Sequence, residues 1–591
     1  MPVLKASQEM FDELVRENMD EFEMSREEAV TDALAQLVSQ GIRDHSNLLT
    51  ASPQEHAIGR AVSVLAAVLA AAEYDYHSSN GSSSNGAALN LDKLQPALEQ
   101  LHDALVLATA NDLLDSQQGM LVSYTVSTAP TLVKVLTKLQ AVRDLAPNGL
   151  ACWALALQSL VRALAYMPTR REQIDYRAAE LLVKLVEDGR TLLLQSSTEV
   201  GQHAALSSLL PSLRDAMNAL VVSCMNNEEL RVRYMLEFQL AGCLVGTLRA
   251  GRDALVAFAD NAELGIDIAL FLLAVCSGIV CLSSDDDERG DISRAHDNCR
   301  DLVEAGALEA LMAVAVAAAK HQAASDARLQ ALRAEIAGTL ARLAVKNEFC
   351  EQLMDGNVAG LLEDTLAADA QANTSVARSI AVLGKALAGN DKCKAALGKS
   401  ATFIPLLIEC MNRHPLVPAV QDAISASLAA LALRSPENSE RICRGIGGDL
   451  RSREANGSAN HDDSATAFPG ISALLTAITL HPKAARVQRS VAQAIRNLVS
   501  RSPELRKPFL DNGAEELLRQ ARLVSLECDD AAKAALRDLG CDVDFKEPFK
   551  GVKGGLANDE FSAPSGPMSS PFGDSGLSTV TSLSDIVRNT L

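Results

Sequence analysis

Aromatic side chains are scarce in this chain. Phe, Tyr and Trp make up 3% of its 591 residues, and Trp occurs once. A core built on stacked rings is therefore excluded, and the 48% hydrophobic content must be buried as Ala, Leu, Val and Ile. Ala and Leu lose little conformational freedom in a helix, so the composition predicts packed helices instead of a β-sandwich. The length excludes a single compact core and leaves several domains or one repeating array.

Positive charge is also in deficit. Lys and Arg total 54 against 75 Asp and Glu, a formal net charge of −21. A polyanion would be repelled at long range, so no nucleic-acid partner is expected. Paired cysteines are missing: the 12 Cys are scattered with no CxxC, which argues against a disulfide-built secreted fold. The longest apolar runs, 61–72 and 268–282, fall short of the roughly 18–20 residues of a membrane span. The N-terminus carries acids early, unlike a signal peptide. These absences predict a soluble protein of the cytoplasm, with the nucleus as a second compartment and no membrane partner.

Catalytic signatures are lacking as well. The LGKS at 397–400 resembles the end of a phosphate loop, but GxxxxGK[ST] needs Gly where Cys393 stands and a strand where helix is predicted. No GxSxG elbow occurs, and no His lies four residues from another His or from a clustered Cys. Neither an enzyme nor a cofactor is expected. The run SSDDDERGDISRAHDN (283–298) gathers Asp285, Asp286, Asp287 and His296, but Arg289 and His296 stand where a calcium loop wants ligands. It reads as a mobile, solvated acidic loop capping the next helix, or as a contact for a basic partner segment.

What the chain does contain is a repeat. EIAGTLARLAVKNEFCEQLM, RSIAVLGKALAGNDKCKAAL, AISASLAALALRSPENSERI and VAQAIRNLVSRSPELRKPFL share an apolar helix, a polar corner and a second helix. The last Leu of each first helix (Leu343, Leu387, Leu431, Leu498) recurs at spacings of 44, 44 and 67. Helical periods of roughly 40–47 residues mark armadillo and HEAT arrays. The long spacing holds GIGGDLRSREANGSANHDDSATAF, a Gly/Ser/Asn/Asp segment of about 23 residues that cannot offset its own ordering entropy. Val487, Val491, Ala494, Ile495, Leu498 and Val499 form one broad apolar face at helical spacing. Pro436 and Pro503 follow Arg-Ser at the same point and start the next helix. Upstream, Leu164, Leu220 and Leu282 continue the marker less regularly.

The expected organisation is therefore N-terminal amphipathic helices (1–50) with Phe11, Leu14, Val15, Met19 and Phe22 on one stripe. A helical region (51–146) with a flexible linker near 77–87 follows, then a solenoid (147–547) with a mobile loop at 445–468. A disordered tail closes the chain (548–591).

The blocks QEMFDELVRENMDEFEMSREEAVTDALAQLVSQGI, LARLAVKNEFCEQLMD, RNLVSRSPELRKPFLDNGAEELLRQAR and CDDAAKAALRDLGCDVDF resemble, in that order, the armadillo-repeat-containing protein 6 family. The resemblance covers 8–50 and about 270–547. It implies an all-α armadillo solenoid, a right-handed superhelix of three-helix repeats, acting as a non-catalytic protein-interaction scaffold. In armadillo arrays the third helix of each repeat lines a concave groove, where peptide-binding members carry Trp and Asn four residues apart. Here Asn497 matches the Asn, but Gln493 takes the Trp place, and Arg342, Ala386 and Ala430 replace Asn elsewhere. Trp153 has Leu157 where Asn would stand. The departure weakens the alternative of a cargo or transport adaptor. Arg342, Arg378, Arg489 and Arg496, with Asn497, are the expected groove residues, a basic strip suited to an acidic or extended peptide.

Overall fold

The computed structural model describes residues 6–42, 48–78, 89–110, 113–140, 148–196, 203–287, 289, 293–370, 373–446 and 468–543. Among them there is helix and no strand. The expected linker near 77–87, the loop at 445–468 and the tail from 548 lie almost wholly outside the described residues.

The N-terminal pair forms as the sequence pattern predicts. Helix α1 (Gln8–Phe22) is capped by Ser7, and α2 (Arg26–Ser39) opens with a capping box between Ser25 and Glu28. Phe11 and Val15 bury against Ala29, Ala33 and Leu37. The expected stripe ends there, because Met19 and Phe22 stay exposed. At the next position inward Asn18 is buried, and its amide donates to the Ala29 carbonyl at 3.3 Å. A polar lock replaces the apolar contact.

The chain divides into two compact units. Among the described residues, the first comprises those up to 247 with 284–295, and the second 248–283 and 296–543. In the first, α3 (Leu91–Ala110), α4 (Gly149–Ala163) and α5 (His203–Cys224) pack in succession. Trp153 is fully buried on α4, so it is core and not a groove platform. Leu164 and Leu220 are likewise buried.

The second unit is the repeat array. Its long helices are α6 (Ala262–Leu282), α7 (Ala327–Leu343), α8 (Thr374–Leu387), α9 (Pro418–Ala432), α10 (Ala485–Val499) and α11 (Leu526–Leu539). Each packs on the next, and two shorter helical segments precede each from α7 onward. This is a ladder of three-helix layers. The marker leucines Leu282, Leu343, Leu387, Leu431 and Leu498 are all fully buried at the ends of these helices. Each contributes roughly 1.5–3 kcal/mol of burial. Pro436 and Pro503 start the first helical turn after their corners. Helix α6 is longer than the run-length reading allowed: its 21 residues suffice by length and composition to cross a membrane. Asp267 interrupts its apolar run, and 15 of the residues are buried, as in a core helix.

Layers are stitched by side chains that donate to backbone carbonyls one layer away. His414 Nε2 reaches the Ala370 carbonyl at 2.9 Å, His481 Nε2 the Pro415 carbonyl at 2.8 Å and His321 Nε2 the Phe258 carbonyl at 2.9 Å. A carbonyl only accepts, so each of these nitrogens carries the proton. Gln421 and Gln488 each donate to two carbonyls at the end of the preceding helix, at 2.7–2.9 Å. Gly470 permits close approach, since a Cβ there would lie 1.8 Å from the Ile442 carbonyl oxygen.

Candidate functional site: the solvated stripe of the helix ladder

Each ladder helix is buried on most of its circumference and keeps one narrow solvated stripe. On α8 the stripe is Ser375, Arg378, Val382, Lys385 and Ala386; on α9 it is Ala419, Asp422, Ala426 and Ala430. On α10 it is Arg486, Arg489, Gln493, Arg496 and Asn497. These positions recur at about −12, −9, −5, −2 and −1 from the marker Leu, the spacing of one helix face.

The structure gives the expected groove residues unequal roles. Arg342 is half-buried, and its Nε and Nη2 donate to the Ser283 carbonyl at 3.0 and 2.5 Å, capping the end of α6. Asn497 Nδ2 donates to the Ala429 carbonyl at 2.9 Å. Both are layer clamps. Arg489 meets Glu527 at 2.7 Å and Arg496 meets Asp538 at 3.7 Å. Glu527 is largely exposed, and such pairs contribute little to stability. Arg378 lies half-buried on α8.

Four further residues on or beside the stripe (Lys385, Asp422, Arg486 and Glu335) were not singled out by sequence reasoning. Lys385 faces the same side from α8. Burial first, then Arg489 and Arg486, hold its ammonium below the usual lysine range, against the pull of Asp422. Asp422 accepts from Ser490 Oγ at 2.6 Å. The signal was present in the marker offsets: Lys385 stands where Arg496 stands, two residues before Leu. One layer before α8, Glu335 on α7 is half-buried and accepts from Ser277 Oγ of α6 at 3.2 Å. Burial pushes its carboxyl up to about 7.

The acidic loop proves to be an anchor within the first unit. Asp287 accepts from the Arg171 guanidinium at 3.2 Å, from Arg289 at 2.8 Å and from the Glu228 backbone N–H at 2.9 Å. These bonds hold its carboxyl well below the usual range, the Arg289 bond foremost. Asp286 pairs with the fully buried Arg231, which also donates to Glu228 and to the Ser284 carbonyl. Asp285 is exposed, and so is His296 in the first turn of the helix Ala295–Glu304. The expected free loop is thus, at Asp286 and Asp287, held by the chain's own arginines.

Among the described residues no group of three or more His, Cys, Asp or Glu converges as a metal site. Burial pushes the thiols of Cys152, Cys243, Cys299 and Cys393 up to about 11, leaving them protonated at neutral pH. LGKS lies at the end of the helix Asp391–Lys399, where Ser400 Oγ donates to Glu363.

Successive three-helix layers of this kind, with a ladder of third helices, define an all-α armadillo-type solenoid. Comparison with known proteins agrees. Residues 4–66 match the family model described as Armadillo repeat-containing protein 6 N-terminal domain. The chain is 27% identical to Armadillo repeat-containing protein 6 of Pongo abelii over 449 residues, covering 74% of this chain and 75% of that one. It is also 27% identical to the Homo sapiens protein of that name over 452 residues, covering 74% and 76%. Among solved structures, the crystal structure of SYS-1 is similar at 12% identity and a TM-score of 0.43, over 80% of this chain and 75% of that one.

Proposed function

We propose that this chain is a non-catalytic interaction scaffold that holds a partner peptide or domain along the ladder face, the face armadillo arrays turn to the concave side. Armadillo arrays commonly serve as protein-interaction scaffolds, because a stack of layers offers a long preformed surface at little ordering cost. The observation that carries this reading is the solvated stripe itself, in which Arg378, Lys385, Arg486, Arg489 and Arg496 recur at fixed offsets on an otherwise acidic protein. An extended acidic segment is the occupant this chemistry favours. The reading places the protein in the cytoplasm and nucleus, which imaging of a tagged chain tests.

The test compares proteins retained by the full chain with those retained by Arg378→Glu/Arg489→Glu/Arg496→Glu, identified by mass spectrometry. Arg342 is left intact because it clamps two layers. The expected result is loss of specific partners from the variant. An unchanged set rejects this face. A cargo adaptor is the second reading; it needs the Asn497 amide to turn from the Ala429 carbonyl to a bound peptide, and failure of basic localisation peptides to bind removes it.

A further inference from the structure

We propose that the ladder face reads charge in two places. An acidic run of a partner protein would lie in a trough floored by α9, and a basic side chain of the same segment would sit at Glu335 on α7. This rests on the scaffold reading above and deepens it by naming the partner's chemistry and spacing.

The trough has a floor of small side chains. Ala419, Ala426 and Ala430 line the exposed stripe of α9, so a backbone can approach closely. Its walls are cationic: Arg378 and Lys385 on α8, and Arg486, Arg489 and Arg496 on α10. Between them stands one carboxylate, Asp422. Glu527 and Asp538 pair with Arg489 and Arg496 at the outer edge, and five cations gathered on two stripes of a chain of net charge −21 make this a cation-rich face. Behind burial, and against the pull of Asp422, Arg489 and Arg486 act on Lys385 across the trough, and a bound anion would ease that repulsion. Guanidinium groups pair bidentately with carboxylates, which favours Asp and Glu side chains as the occupant.

Glu335 supplies the opposite sign. It lies half-buried, and among the described residues Ser277 is the side chain that bonds to its carboxylate; no cation does. Carboxylates in such surroundings normally find a counter-charge. From α7 to α9 is two layers, roughly 20 Å at the 8–10 Å spacing of packed helices. An extended chain covers that distance in about six residues. The fitting ligand is therefore an extended segment with a Lys or Arg about six residues from an acidic run.

The experiment titrates the full chain into the labelled peptide KGGGGGEEEE and reads fluorescence anisotropy. GGGGGGEEEE, KGGGGGQQQQ and a single-stranded oligonucleotide serve as comparison probes. The proposal expects KGGGGGEEEE to bind most tightly, GGGGGGEEEE about tenfold more weakly, and KGGGGGQQQQ more weakly still. Lys385→Glu/Arg489→Glu should lower affinity for both acidic peptides about tenfold or more, and Glu335→Gln should erase the advantage given by the Lys. Equal binding by wild type and charge-reversed chain overturns the proposal, as does tighter binding of the oligonucleotide. The exposed Gln493→Trp variant, which blocks the trough without changing charge, separates this outcome from the broader reading. If partners are lost from Gln493→Trp but kept by the charge variants, the face stands and the charge code fails. If Gln493→Trp keeps them too, both fail.

Discussion

The two units hold their layers together by different chemistry. In the second, histidine and amide side chains (His414, His481, Gln421, Gln488, Asn497) do most of this by donating to carbonyls of an adjacent layer or of the preceding helix end, with Arg342 and Lys394 as charged exceptions. In the first, arginines do much of this work. Arg170 donates to the Met225 carbonyl at 3.0 Å, Arg171 to the Asn226 carbonyl at 3.1 and 3.0 Å, and the buried Arg231 joins Glu228 to Asp286. Asp215 is buried on α5 beside Arg214 at 3.2 Å, and burial pushes its carboxyl up to about 6. Single donor-to-carbonyl clamps are easily repeated, because each is satisfied locally and leaves the solvated stripe free to vary. Buried ions must be matched one by one, which suits a less regular stack.

The largest effect that sharpens this contrast is expected for Arg231→Leu. The buried Glu228 carboxylate would lose its guanidinium, at about 3–5 kcal/mol. Hydrogen exchange should then show lost protection in α5, while α9 and α10 keep theirs; uniform loss would mean the units do not differ in this way. Leu498→Ala removes a fully buried marker, and should cost about 2–5 kcal/mol with the loss centred on α10. His481→Ala leaves the Pro415 carbonyl and the turn around it unpaired, an expected loss of about 1–3 kcal/mol by denaturant titration.

The smallest change is a gain. Glu335 has a raised folded-state pKa, so the folded chain keeps a proton that the unfolded chain releases as pH climbs through the ordinary carboxylate range toward 7. Stability falls across that window and is level above it. Glu335→Gln does not titrate. Its advantage should grow between about pH 4.5 and 7 to on the order of 1 kcal/mol, and melting at pH 5 and pH 8 checks it. Asp287 acts in the opposite sense: its depressed pKa adds stability above the ordinary carboxylate range that is lost as pH falls toward the folded value.

The array was legible where the repeat is regular. Leu343, Leu387, Leu431 and Leu498 mark helix ends because an apolar face at helical spacing has one way to be buried between two neighbours. Met19 and Phe22 misled, since periodicity says which face is apolar but not how far the partner helix extends. The acidic run misled for a related reason. Arg171 and Arg231 lie more than fifty residues from Asp286 and Asp287, and local spacing cannot show charges that meet only in the fold. For the stripe, counting back from the marker leucines located Arg378 and Arg489. It did not separate Arg489, which meets the exposed Glu527, from Arg342, which the preceding layer claims through Ser283.

The most direct measurement places a benzophenone in the spacer of KGGGGGEEEE, irradiates it with the full chain and maps the adducts by mass spectrometry. The account predicts adducts at Val382, Ala426 and Gln493, on the exposed stripes of α8, α9 and α10. Adducts confined to the first unit, or to the short helices that precede each rung of the ladder, would contradict it.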